Sequence, residues 1–172
     1  MLLDPLVQLA RQTIEAWVRS GRLPQDPGVP VLPELRRPGA CFVSLHRRGE
    51  LRGCIGTLEP CHASLGAEIR ENAVAACSRD RRFPPLEAGE LQDLEVKVDV
   101  LSPLESVEGV SALDPRRFGV VVEDDAGRRG VLLPDLEGVD SPGQQLAIAR
   151  RKAGIPGDEK IRIQRFTVER HT

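Results

Sequence analysis

The sequence predicts an α+β fold in which helices pack on an antiparallel sheet. Strand-like runs pair as hairpins and do not alternate with helices in a regular rhythm. Three other segments repeat their apolar residues at helical spacing between capping residues. With 172 residues, 40% hydrophobic and 29% charged, the chain can bury a core without metals or disulfides. That length fits one domain, or one domain with a small inserted lobe.

The first helix opens at Asp4, a capping residue, followed by Pro5 at a position that tolerates proline. Leu6, Leu9, Ala10, Thr13, Ile14, Trp17 and Val18 form its apolar stripe, and Gly21 ends it. Pro24, Pro27, Pro30, Pro33 and Pro38 then mark an irregular, extended connection to about Gly39. Cys41 to Leu45 reads as a strand, Arg47 to Glu50 as a turn containing Gly49, and Leu51 to Thr57 as the hairpin partner. From Ser64, an N-cap, to Arg79, a second stripe runs through Leu65, Ile69, Ala73, Ala76 and Cys77.

A short turn or helix through Glu87–Leu91 leads to a strand over Leu94–Leu101, where Val96, Val98 and Val100 alternate with Lys97 and Asp99. Phe118–Val122 and Gly130–Leu133 make a second hairpin around Asp125-Ala126-Gly127. Ser141-Pro142 starts a third helix that runs to about Ala153 and stops at Gly154 and Pro156. Ile161 to Val168 is a closing strand.

A formal net charge of −2 provides no global attraction to nucleic acid or anionic lipid. Aromatic residues make up 3% with no Tyr, which argues against a base-stacking platform. No run approaches the ~18 apolar residues of a membrane span. Met1-Leu2-Leu3-Asp4-Pro5 lacks the basic start and apolar stretch of a signal peptide, so the expected location is cytoplasmic. Cys41, Cys54, Cys61 and Cys77 are then expected as free thiols. No C-x-x-C or H-x-x-x-H spacing holds two metal ligands together, and no cofactor is implied.

The chemically suggestive stretch is Arg52-Gly53-Cys54-Ile55-Gly56-Thr57. Glycine weakens a strand, so Gly53 and Gly56 need a reason. Either the strand is bulged or tightly packed there, or a ligand approaches its backbone. Regular alternation puts Arg52 and Cys54 on one face, where a guanidinium would favour a thiolate nucleophile. The alternative is a Cys54 that serves as a small buried hydrophobe. Hairpin register decides whether Cys54 faces Val43 and Leu45 or shares its face with Ser44 and His46. His62 precedes the second helix closely enough to approach Cys54, whereas His171 reads as a solvated tail residue. In Asp80-Arg81-Arg82-Phe83-Pro84-Pro85, Arg79 and Arg81 suit a helix C-terminus. An Asp80/Arg82 pair would anchor the loop, or Arg82 would grip a carboxylate or phosphate.

Leu51-Arg52-Gly53-Cys54-Ile55-Gly56-Thr57 resembles the signature of the AMMECR domain family, also called the A protein of the AmmeMemoRadiSam system. Phe42–Leu45, Asp80–Pro85, Glu90-Leu91, Leu94–Leu101, Leu132-Leu133-Pro134 and Lys152-Ala153-Gly154-Ile155 extend the likeness over about residues 40 to 168. Arg81 stands where the family usually has proline, and Phe118 where relatives often carry histidine. The resemblance implies a larger lobe with an antiparallel sheet and flanking helices, a smaller lobe (here around 59–92), and a cleft lined by the signature. It implies no established reaction, but an association with Memo-like and radical SAM proteins. The candidate site residues are then Cys54 and Arg52 for catalysis in a cleft enzyme, and Gly53, Ile55, Gly56, Thr57, Asp80 and Arg82 for a small-molecule ligand. A non-catalytic module that docks on a partner protein is the rival expectation, and a nucleic-acid factor using Arg79–Arg82 ranks below both.

Overall fold

A computed structural model describes residues 4–24 and 32–172. Met1–Leu3, and Pro27 and Pro30 of the connection, lie outside the described residues. In chain order the elements are α1 (Pro5–Ser20), α2 (Pro33–Arg36), β1 (Ala40–Arg47), β2 (Glu50–Gly56), α3 (Leu65–Ser78), β3 (Leu94–Leu101), β4 (Glu105–Val107), β5 (Gly119–Asp124), β6 (Arg129–Leu132), α4 (Pro142–Ala153), β7 (Ile161–Phe166) and β8 (Val168–His171). They form two compact units, Met1–Leu101 with Glu169–Thr172, and Ser102–Val168. Residues 59–92 belong to the first, and the second is the smaller. Among the described residues no helix is long and apolar enough to cross a membrane.

In the first unit the Asp4 carboxylate caps α1 by accepting the Leu6 N–H at 2.9 Å. Gly21, at φ 67°, ends the helix and donates its N–H to the Trp17 carbonyl. The connection read as extended contains α2, because Pro33 suits a first helical turn and Leu35 finds a buried position. Arg48 and Gly49 turn the β1–β2 hairpin, both at positive φ, the conformation two-residue hairpin turns require. The Ser64 hydroxyl accepts the Ala67 N–H at 3.2 Å and starts α3. A 3-10 turn over Ala88–Asp93 precedes β3. The sheet order is β2-β1-β3-β8. Val43, Leu45, Val96 and Val98 bury one face of it against Leu6, Ile14, Ile69 and Ala73 of α1 and α3.

The smaller unit has its own sheet, β4-β7-β5-β6, and its own core, in which Val120, Val122 and Leu132 meet Ala149 of α4 and Ile155. Ser141 and Gln144 form a capping box at the start of α4, and Gly154 at φ 68° ends it. Two sheets therefore replace the one that the hairpin pattern suggests. The segment read as a single strand from Ile161 to Val168 divides at Thr167 into β7 and β8, which lie in different sheets. Thr167 and Ser102 hold that break reciprocally. The Ser102 N–H donates to the Thr167 carbonyl at 3.0 Å, and the Thr167 N–H donates to the Ser102 hydroxyl at 2.8 Å. Alternation along 161–168 carries no trace of this switch, because both halves are extended.

Candidate site on the edge strand

Strand β2 lies at the edge of its sheet, so every second residue directs its backbone N–H and C=O away from β1. Cys54 is one of these. Its N–H donates to Asp80 Oδ2 at 2.9 Å, and its carbonyl accepts from Arg82 Nη2 at 3.2 Å. The same two side chains bind each other, Arg82 Nη2 to Asp80 Oδ2 at 2.8 Å and Nε to Oδ1 at 3.0 Å. Acceptor and donor thus take the places a neighbouring strand would have offered. Helix α3 delivers them: it ends at Ser78, and the chain then turns across the edge of β2.

Asp80 is buried at 6% exposure. The Arg82 hydrogen bond, with the N–H groups of Cys54 and Arg82, outweighs burial and holds its carboxyl down at about 2. Asp80 in turn keeps Arg82 more firmly protonated than usual; charge attraction from Asp80 and Cys54 assists, and burial opposes. Cys54 is half-buried, with a positive charge fixed beside its backbone.

That charge is not Arg52. Pairing runs Ser44↔Cys54 and Leu45↔Gly53, then shifts so that His46 meets Leu51, which leaves Arg52 as the extra residue of a bulge. Regular alternation therefore fails between Arg52 and Cys54. The Arg52 guanidinium grips Glu90 with both Nε and Nη2 at 2.9 Å and donates to the Pro84 carbonyl at 2.9 Å. Arg52, and less strongly Arg47, hold the Glu90 carboxyl at about 2 against the cost of burial. Two open depressions border this pair, one of about 310 Å³ lined by Arg47, Arg48, Leu51, Arg52 and Glu90. The other, of about 500 Å³, is lined by Arg47, Arg52, Pro84, Pro85 and Glu90. Cys54 lines neither.

Close packing accounts for both glycines of the signature. A Cβ on Gly53 would stand 2.4 Å from the Ala76 carbonyl oxygen of α3, and one on Gly56 would stand 2.3 Å from the Phe42 ring. Ile55 packs against the first unit's core. The Thr57 hydroxyl donates to Glu68 Oε1 at 2.5 Å. Glu68 is a feature the sequence reading missed: a fully buried carboxylate that also accepts the N–H groups of Cys61 at 3.0 Å and His62 at 2.9 Å. Its place in the apolar stripe of α3, beside Ile69, was the available signal.

Ser44↔Cys54 pairing settles the register question: Cys54 shares the face of Phe42, Ser44 and His46, opposite the helices. Among the remaining thiols, burial pushes Cys41 up to about 12 and Cys77 up to about 11, which removes both as nucleophiles. Cys61 is exposed. His171 is not a solvated tail residue: half-buried, it places Nδ1 2.9 Å from Asp4 Oδ2. Arg79 pairs with Glu71. Among the described residues no group of three or more His, Cys, Asp or Glu side chains is placed to hold a metal ion.

The family model of AMMECR1 matches residues 7–171. The chain belongs to the AMMECR1 family. A Thermotoga maritima protein is 51% identical over 97% of both chains. A Clostridium acetobutylicum protein is 40% identical over 98% of this chain, which spans 36% of that longer relative. The crystal structure of an uncharacterized Pyrococcus horikoshii protein superposes with a TM-score of 0.85 at 33% identity, covering 96% of this chain and 88% of that one. The α+β architecture is thus shared with that solved structure.

Proposed function

We propose that this AMMECR1-family protein binds a small molecule at Cys54, and that the Cys54 thiol is the contacting or nucleophilic group, acting in the cytoplasm. The observation that supports this is the fixed arrangement at the edge of β2. A half-buried thiol sits on a backbone held rigid by Asp80 and Arg82, with a cation close enough to favour negative charge on sulfur. Arg82 takes the electrostatic part that the sequence assigns to Arg52. The Cys54 N–H is already committed to Asp80, so it is not a free donor for a developing oxyanion.

Alkylation of the full chain by iodoacetamide, followed residue by residue by mass spectrometry, tests the reading. Cys61, exposed on the same protein, is the reference thiol. Cys54 is expected to react faster than Cys61 at pH 7, and Arg82→Gln to slow it. A Cys54 that labels only on unfolding, or a rate indifferent to Arg82, refutes an activated thiol.

The longer Clostridium relative favours a second reading, a module that works beside partner proteins, with Memo-like and radical SAM proteins as the candidates. In that case Cys54→Ser leaves partner capture intact, while Leu51→Asp, at an exposed apolar position of the same strand, weakens it.

A further inference from the structure

Resting on the Cys54 reading above, we infer that Ser44 and Lys97, with His46 beside them, extend the Cys54 site across the sheet and bind an anionic oxygen group, carboxylate or phosphate, of the small-molecule ligand.

The register brings these residues together. Ser44 of β1 is the partner of Cys54 on β2 and of Lys97 on β3, so the three form one row across three strands. Partners in an antiparallel ladder point the same way, with Cβ atoms ~4.5–5.5 Å apart. Because the backbone groups of Cys54 face Asp80 and Arg82, Cys54 and Ser44 form the closer, non-hydrogen-bonded kind of pair. Val43, Leu45, Val96 and Val98 fill the opposite face, which places Ser44, His46 and Lys97 with Cys54 on the face away from α1 and α3.

On this face one buried polar atom lacks a partner and two further polar groups make no bond to the protein among the described residues. Ser44 is 9% exposed, and among the described residues its hydroxyl makes no hydrogen bond. Lys97, half-buried in β3, has neither a hydrogen bond nor an ion pair among the described residues. His46 Nδ1 is buried without a partner. Burial, with the Lys97 charge next, lowers the His46 pKa, while Glu95 and Asp99 pull it up and Arg170 pushes it down. Native proteins seldom leave a buried atom such as His46 Nδ1 without a partner, because the unmade bond costs free energy.

The chemistry of the missing partner follows from the charges. Asp99, the neighbouring acid on this face, is buried and bound to Arg170 at 2.8 Å, so it does not neutralise Lys97. Glu95 lies opposite His46 and is exposed. Lys97 therefore brings a positive charge that Asp99 does not pair, and Ser44 a hydroxyl donor, within two strand spacings of Cys54, ~10 Å. A lysine ammonium at the end of a flexible four-carbon stem suits an anionic oxygen that must be placed rather than clamped.

The two classical thiol reagents differ in this property. Iodoacetate carries a carboxylate, and iodoacetamide is neutral. With the full chain, the iodoacetate-to-iodoacetamide rate ratio at Cys54 is expected to exceed that at Cys61 by about tenfold, the equivalent of ~1.4 kcal/mol. Lys97→Gln should bring the ratio down to the Cys61 value, and Lys97→Arg should restore part of it. Acetate or inorganic phosphate, added as competitor, should slow the iodoacetate reaction. Stronger competition by acetate identifies a carboxylate ligand, and stronger competition by phosphate a phosphate. Equal ratios at the two thiols, or a preference that survives Lys97→Gln, overturn this inference and leave the thiol reading standing. A Cys54 inert to both reagents overturns the thiol reading and this inference together.

Discussion

The Asp80 carboxylate accepts the backbone N–H of Cys54 at 2.9 Å across 26 residues of sequence. Through Arg82 it also governs the Cys54 carbonyl. One ion pair thus does two jobs. It seals an edge strand that would otherwise offer free ladder groups to another chain, and it sets a positive charge near the thiol.

Asp80 and Glu90 make stability sensitive to acid. Asp80 titrates at about 2 in the folded chain against 3.8 ordinarily, and Glu90 at about 2 against 4.5. Both values are depressed on folding, so their contribution is present above the ordinary values and is lost as pH falls through about 2. Denaturation midpoints measured from pH 6 downward should drop most steeply between those limits. Asp80→Asn should flatten the drop and lower the plateau near neutrality; an unchanged pH profile would contradict the assignment.

Replacing Arg52 with Lys keeps the charge but cannot reproduce the two-pronged grip on Glu90 and the bond to the Pro84 carbonyl. A loss of about 1–2 kcal/mol in chemical unfolding is expected. Alkylation of Cys54 should be little altered, since Arg52 is directed at Glu90. Slower labelling without a stability loss would return Arg52 to the thiol.

Gly53→Ala forces a methyl group against the Ala76 backbone at 2.4 Å, and a backbone carbonyl in the last turn of α3 cannot step aside as a flexible side chain would. Destabilisation of about 1–3 kcal/mol should follow. Gly89→Ala, whose added Cβ meets nothing within 4 Å, should stay within about 0.5 kcal/mol of wild type. Equal stabilities for the two variants would remove the close approach as the reason for Gly53.

Glu68→Gln substitutes an amide for a carboxylate that accepts three hydrogen bonds. The amide oxygen can still accept from Cys61 and His62, which share Oε2, and the NH2 can donate to a reversed Thr57 hydroxyl, so what is lost is the charge assistance, about 1 kcal/mol. Hydrogen exchange at the Cys61 and His62 amides should accelerate more than exchange in β1. Uniform acceleration would mean that Glu68 supports the whole unit rather than this loop.

Helix caps at Asp4, Ser64 and Ser141, glycine stops at Gly21 and Gly154, and the hairpins near 49 and 126 were legible in the sequence. Each rests on interactions within a few residues, where capping chemistry and periodicity act. The signature was equally legible as an unusual strand with two glycines, and the family it resembles is the one the chain belongs to.

Tertiary structure decided what that strand faces. A single bulged residue at Arg52 separated its side chain from the Cys54 face, and no local pattern reports a one-residue change of register. The partners that matter, Asp80 for Cys54, Glu90 for Arg52 and Ser44 between Cys54 and Lys97, come from segments distant in sequence. Their meeting depends on how α3 and the strands dock. Residue types and local order are written along the chain, but contact between remote side chains exists only after packing has chosen one register from several that alternation allows.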